Sequence, residues 1–314
     1  MTSDAAPAGA YEDVHVALIG CGNWGRHILR DLRALGVAVV VARSPDSIAR
    51  ALDGGATVVP DVGALGPVHG IVVATPTVTH AEVIESVLDR EVPVFVEKPM
   101  TPDLESARRL CARAGERIFV MDKWRYHPGI ETLGELARSG AHGRIQGVTS
   151  VRHQWGNPHD DVDAVWILAP HDLSIAVEIL GHLPDPMYAV VDRAEGRITG
   201  MRALLGADPW HALSISARSA TWDRSVQVHT EDALLLLPDS YAAHVSVYRS
   251  GGLAFGDPPE PERVAVSTAL PLGRELEAFV AHLTGGPAPK TSAADGVAAV
   301  ECLERLLALA GAGS

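Results

Sequence analysis

The chain is poor in cysteine and aromatics: among 314 residues there are three cysteines, four phenylalanines and five tyrosines. Cys21, Cys111 and Cys302 are odd in number and widely separated. That spacing argues against a disulfide framework or a clustered zinc site and fits a reducing compartment. No apolar run approaches the roughly 18 residues of a membrane-spanning helix, so no membrane partner is expected. Basic residues are the scarcer charge, 26 against 39 acidic for a net charge of −13, and they form no run. A general nucleic-acid binder, which needs clustered Lys and Arg to neutralise phosphate, is therefore not expected. The opening residues, "MTSDAAPAGAYE", have neither a basic start nor an apolar core. They predict a loose tail over residues 1–11 and a cytoplasmic location.

What is present is a globular composition, 47% apolar and 21% charged, on a chain long enough for two domains. Up to about residue 121, β-rich runs ("VHVALIG", "VAVVVA", "HGIVVATP", "VPVFVE", "RIFVM") alternate with stretches of helical apolar spacing ("GRHILRDLRALG", "HAEVIESVLDRE", "DLESARRLCARAG"). Such alternation predicts an α/β, doubly wound parallel sheet over residues 12–121, with Asp103 capping a helix. Beyond it, one helix, a strand, a helix starting near His171 and several short alternating strands predict a second, α+β domain over 122–314 with an open, mainly antiparallel sheet. The last segment, "AADGVAAVECLERLLALAG", predicts an amphipathic helix that packs back on the first domain. An open sheet with one uncovered face suits a homodimer or homotetramer.

"GCGNWG" directly follows the first strand and opens a helix, which places Gly20, Gly22 and Gly25 in the dinucleotide-binding spacing, with Asn23 and Trp24 between them. The first glycine permits the tight turn, the second lets backbone approach the pyrophosphate, and the third allows close helix packing; the anion then sits on the helix N-terminus. The second strand ends "VVVARSP", with Ala42 where an acidic residue usually meets the ribose, followed by Arg43 and Ser44. This pattern favours NADP(H), whose 2′-phosphate needs a charge-assisted donor, over NAD(H). Ribose binding by Asp46 stays open as the alternative.

The motifs "GCGNWG", "ATPTVTHAEVIESVL", "VPVFVEKPM", "RYHPGIETLGEL" and "DAVWILAPHDLSIAVEILG", in that order, resemble the glucose–fructose oxidoreductase, inositol dehydrogenase and MocA family over nearly the whole chain. The resemblance implies a nicotinamide-dependent oxidoreductase acting on a small molecule. Its expected parts are a Rossmann domain and a C-terminal domain whose open sheet forms oligomers. It also implies that Lys98 of the E-K-P motif contacts cofactor and substrate across a Lys98–Pro99 bond that is often cis, and that His171 is the catalytic histidine. Thr75, Pro76, His80 and Glu97 fall at the carboxyl edge of the sheet, among the expected cofactor contacts. Tyr126 and His127 match a substrate-facing segment in which His127 stands where the family has Asn. Ile167 stands where the family has the aspartate of D-x-x-x-H, four residues before His171.

Hydride transfer to a carbonyl needs a group to protonate or polarise the oxygen, and Lys98 and His171 are the candidates. For Lys98 the structural alternative is an ion pair with Glu97, and for His171 a buried core histidine. Asp163 and Asp172 are the nearest substitutes for the missing aspartate, although Asp172 at a helix start would equally serve as a cap. Lys123, Arg125, Arg152 and His153 are natural contacts for a diphosphate-bearing substrate. The cluster His159, Asp160, Asp161 and Asp163 has no matching ligand set elsewhere, so no metal is expected. The sequence thus predicts an NADP(H)-dependent oxidoreductase of a sugar, sugar-nucleotide or polyol/keto substrate, working as a reductase because Ile167 removes a base. The alternatives are a redox-neutral nicotinamide enzyme and a dinucleotide-binding sensor that has lost catalysis.

Overall fold

The computed structural model describes residues 11–36, 39–41, 44–157, 161–249 and 256–312. Within them, β1 (Val16–Ile19), α1 (Gly25–Ala34), β2 (Val39–Val41), α2 (Pro45–Asp53), β3 (Thr57–Val59), β4 (Gly70–Val73), α3 (His80–Val87), β5 (Val94–Glu97), α4 (Leu104–Ala114) and β6 (Ile118–Met121) alternate along the chain. The strands form one parallel sheet in the order β3-β2-β1-β4-β5-β6. That is the doubly wound order expected of the sequence, and its order reverses between β1 and β4. β1, β4 and β6 are buried along their whole length, as strands covered on both faces must be. Asp103 caps α4 as predicted, its carboxylate accepting the Ser106 N–H at 2.7 Å.

The remaining elements are α5 (Pro128–Arg138), β7 (Ile145–Trp155), α6 (Ala164–Leu180), β8 (Pro186–Ala194), β9 (Arg197–Leu205), β10 (Trp210–Ser216), β11 (Arg218–Asp223), β12 (Val226–Thr230), β13 (Ala233–Leu237), β14 (His244–Arg249), β15 (Glu262–Ala265), α7 (Pro271–Leu283) and α8 (Ala293–Leu309). β15-β14-β13-β12-β7-β10-β9-β8 form a second sheet, antiparallel except between β7 and β10, with β11 also paired to β7. One face packs on helices: Ile130 and Leu133 of α5 and Ile175 and Ile179 of α6 meet Val148, Val228, Leu235 and Leu237.

The chain divides into two compact units, one taking in residues up to Lys123 with Leu272–Val297, the other Trp124–Pro271 with Ala298 onward. The boundary at 121/122 therefore needs correction at the C-terminal side. α7 belongs to the first unit because its apolar stripe, Leu272, Leu276, Phe279 and Val280, joins the core of the parallel sheet, where Phe279 stacks on Phe95 at 4.8 Å. α8 is shared along its length: Gly296 lies against Val120 and Met100 of the first unit, while Leu303 and Leu306 enter the core of the second.

Candidate functional site

In the first unit the turn after β1 is shaped by its glycines. Gly20 has φ +100°, and a Cβ there would lie 2.6 Å from the Ala74 carbonyl oxygen at the end of β4. A Cβ at Gly25 would lie 2.3 Å from the Gly20 carbonyl, so the helix can start here only without a side chain. Gly22 is different, because nothing lies within 4 Å of its added Cβ. Space beside it is open to an approaching group. No side chain caps α1 and no acidic residue occupies its first turn, leaving the positive end of the helix dipole to an external anion.

Beside this turn, Glu97 at the end of β5 accepts a hydrogen bond from the Trp24 indole through Oε1 and one from the Lys98 backbone N–H at 3.1 Å through Oε2. Burial pushes the Glu97 carboxyl up, opposed by the charge of Lys98, by the Trp24 bond and by Lys123. Lys98 follows at the sheet's carboxyl edge, half-buried, before a cis bond to Pro99. The Lys123 ammonium lies 4.3 Å above the Trp24 ring, a cation–π contact. Trp24, Glu97, Lys98 and Lys123 are thus one cluster.

The other expected contacts in this unit divide. Asn23 and Pro76 are exposed and Thr75 half-buried near the turn. His80 is 1% exposed, and its two ring nitrogens lie 2.9 Å from the carbonyls of Pro99 and Thr75. It ties together the two loops that follow β4 and β5. Ser44 caps α2, its Oγ accepting the Ser47 N–H at 3.2 Å. Ala42 and Arg43 lie outside the described residues.

In the second unit, His171 occupies the middle of α6, not a loop-to-helix junction. Pro170 lies inside the helix, whose first turn starts at Ala164 after Asp163. Twelve residues of α6 are buried, and this packing offsets the hydrogen bond that proline removes. Asp172 is consequently no cap. Its Oδ2 accepts from Arg152 Nε at 2.6 Å, with both side chains under 5% exposed, and Oδ1 has no hydrogen-bond partner among the described residues. The Arg152 guanidinium also lies 4.4 Å over Trp124, whose ring stacks on His127 and meets the His171 ring edge-on at 6.3 Å.

His127 caps α5: Nδ1 accepts the Gly129 N–H at 3.1 Å, which leaves Nε2 to donate to the Ser240 carbonyl at 2.9 Å. An Asn could accept the same Gly129 N–H, but its shorter side chain would not reach the Ser240 carbonyl as well. Buried at 7% exposure, His127 is a framework residue in this arrangement and not a substrate-facing one. Tyr126 is equally buried.

Two of the cations read as diphosphate contacts are consumed internally: Arg152 by Asp172, and Arg125 by Glu178 at 3.3 Å. Another, His153, lies 2.9 Å from the Ser214 hydroxyl. Asp163 lies 3.4 Å from Arg197. Of the tempting acidic loop, His159 and Asp160 fall outside the described residues, and no group of three or more metal-ligating side chains occurs among the rest.

Sequence reasoning overlooked Glu275. It stands on the apolar stripe of α7, between Leu272 and Phe279 in helical spacing, and is 1% exposed. A lone acid on a buried stripe was the available signal.

Residues 14–120 match the family model described as an oxidoreductase family with an NAD-binding Rossmann fold, GFO_IDH_MocA. An inositol 2-dehydrogenase of Rhizobium meliloti is 22% identical over 311 residues, 91% of this chain and 94% of that enzyme. The first unit thus resembles that oxidoreductase family, and the likeness to an inositol 2-dehydrogenase runs over nearly the whole chain. The inositol 2-dehydrogenase of Renibacterium salmoninarum is 33% identical over 144 residues, a match spanning 42% of this chain and 44% of that enzyme. The UDP-N-acetylglucosamine 3-dehydrogenase of Acidithiobacillus ferrooxidans superposes with a TM-score of 0.82 at 22% identity, over 95% of this chain and 98% of that chain. That likeness shows a shared fold. No described helix is long and apolar enough to cross a membrane.

Proposed function

We propose that the protein is an NADP(H)-dependent oxidoreductase of a sugar, polyol or corresponding ketone, working as a reductase. The observation that carries this reading is the cluster at the sheet edge: Lys98 sits beside Glu97 and Trp24, against a glycine turn whose open side and uncapped helix fit a dinucleotide pyrophosphate. When bound, that cofactor supplies or accepts the hydride. Gly20, Gly22 and Gly25 shape its seat, Arg43 and Ser44 select the 2′-phosphate, and Thr75 and Pro76 border it.

In this reading Glu97 orients the Lys98 backbone and Trp24, and Lys98 holds a proton toward the substrate oxygen as negative charge develops. His171 is the second proton carrier. With Ile167 in the aspartate position no carboxylate supports it from the preceding helical turn, which favours protonating a carbonyl over deprotonating an alcohol. The internal pairing of Arg152 and Arg125 favours an uncharged sugar or polyol over a nucleotide-linked one, since neither cation is left for a diphosphate without breaking a pair.

Fluorescence titration with NADPH and with NADH tests the cofactor assignment. Tighter NADPH binding followed by turnover of keto-sugars supports the reading; binding of neither overturns it. Ready oxidation of a polyol with every tested ketone untouched overturns the direction. Homo-oligomers through the second sheet belong to the same proposal. Tyr188, Val190 and Leu204, all exposed, share one sheet face because Tyr188 pairs with Leu204. A second copy of the chain would cover them, and a monomeric mass by light scattering would rule this out.

A further inference from the structure

The parallel-sheet unit buries more carboxyl groups beside Lys98 than it has ways to stabilise as ions. Glu97 uses both oxygens as acceptors, from the Trp24 indole and the Lys98 N–H, which is the pattern of an ionised carboxylate. Glu275 presents the opposite pattern. It is 1% exposed, projects from the core face of α7, and its Oε2 has no hydrogen-bond partner among the described residues. The charged groups that act on it are Glu97 from β5, Lys98 just beyond that strand, and Asp122 and Lys123 beyond β6. Ionised, all five would sum to −1; with one proton retained they sum to zero. A buried carboxylate with an unmet oxygen costs far more than the neutral acid in the same place. Desolvation, and after it Glu97, push the Glu275 carboxyl well above its ordinary range.

We propose that Glu275 is a positioning residue, holding a proton in the free protein so that the negative charge of the carboxyl pair rests on Glu97, against Lys98. The inference rests on the reading of Lys98 as the group that meets cofactor and substrate. It carries a linkage. A positive charge docking next to Lys98 restores the balance by breaking the Glu275 O–H bond and sending its proton to solvent. Oxidised nicotinamide is such a charge, and the reduced ring is not.

The test has two arms, both using the full chain and Glu275→Gln, which keeps the shape of the neutral acid. In the first, melting temperature is followed with pH and no cofactor. A carboxyl whose folded value is raised contributes stability that is complete below the unfolded value and is lost as pH rises toward the folded one. The variant is therefore expected to gain on the wild type steadily as pH rises above the ordinary carboxyl range. A constant gap, or one that closes, overturns the proposal. If the variant does not fold, infrared spectra of the wild type decide: a buried protonated-carboxyl band is expected near neutral pH, and its absence is fatal.

In the second arm, calorimetric titrations in two buffers of different ionisation enthalpy count protons exchanged on binding NADP+ and NADPH. The wild type is expected to release about one proton with NADP+ and none with NADPH, and Glu275→Gln none with either. Equal release from both proteins overturns the linkage. Failure of either cofactor to bind overturns the cofactor reading instead, and the first arm still decides the state of Glu275.

Discussion

Ile167 and His171 stand one turn apart on α6, so their side chains share a helix face, and Ile167 is packed into the core of the second unit at 4% exposure. Restoring the family's aspartate by Ile167→Asp therefore puts a carboxylate among apolar neighbours. We expect a loss of about 3 kcal/mol in urea unfolding near neutral pH, shrinking as pH falls and the new carboxyl takes up a proton. A gain of alcohol oxidation by the same variant would mark Ile167 as decay of an ancestral site, whereas lost activity would mark a rebuilt pocket.

The Arg152–Asp172 pair leads to an asymmetric expectation. Arg152→Met alone leaves Asp172 charged and buried, costing about 3–5 kcal/mol in chemical denaturation, while adding Asp172→Leu recovers most of the loss. Two independent, additive losses would contradict a closed pair.

His127→Asn keeps an acceptor for the Gly129 N–H but is too short to reach the Ser240 carbonyl as well, so in a thermal melt it should cost less than full truncation. His127→Ala removes the cap and should lower stability by about 1 kcal/mol or more. If the histidine instead meets substrate, both variants will fold but raise KM.

Lys98→Met should lower kcat/KM by at least about 100-fold while NADPH affinity, read by fluorescence, stays within a few-fold. Loss of both together would make Lys98 a cofactor anchor and no proton carrier.

The two inner glycines of the turn should separate. Gly25→Ala forces its methyl against the Gly20 carbonyl and is expected to destabilise the protein by more than about 1 kcal/mol, or to prevent expression. Gly22→Ala meets nothing and should fold like the wild type, yet lose dinucleotide affinity in the titration.

How much of this was legible in the sequence depended on whether the signal was local. β1, its glycine turn and the cap at Asp103 could be read because each is defined by neighbours in sequence. The start of α6 was misplaced since Pro170 is a local stop signal that tertiary burial overrides. β8 and β9 went unread: their hairpin turns on Glu195 and Gly196, both at positive φ, instead of the familiar Asn-Gly, and charged side chains on the exposed face interrupt the apolar pattern. The pairing of Arg152 with Asp172 joins residues 20 apart, and Glu275 feels the charge of Glu97 across far more chain, which no single-sequence spacing reveals.

The emptiness beside Gly22 has a consequence for how this protein would look under selection. A screen for folded, abundant protein would accept nearly any small residue there, and would reject changes at Gly25 a few positions along. Only a screen for ligand occupancy would see Gly22 at all. The position is therefore one where tolerance of mutation in an expression assay measures nothing about function, and where a natural relative carrying a side chain would be marked as a protein that keeps the fold and has given up its guest.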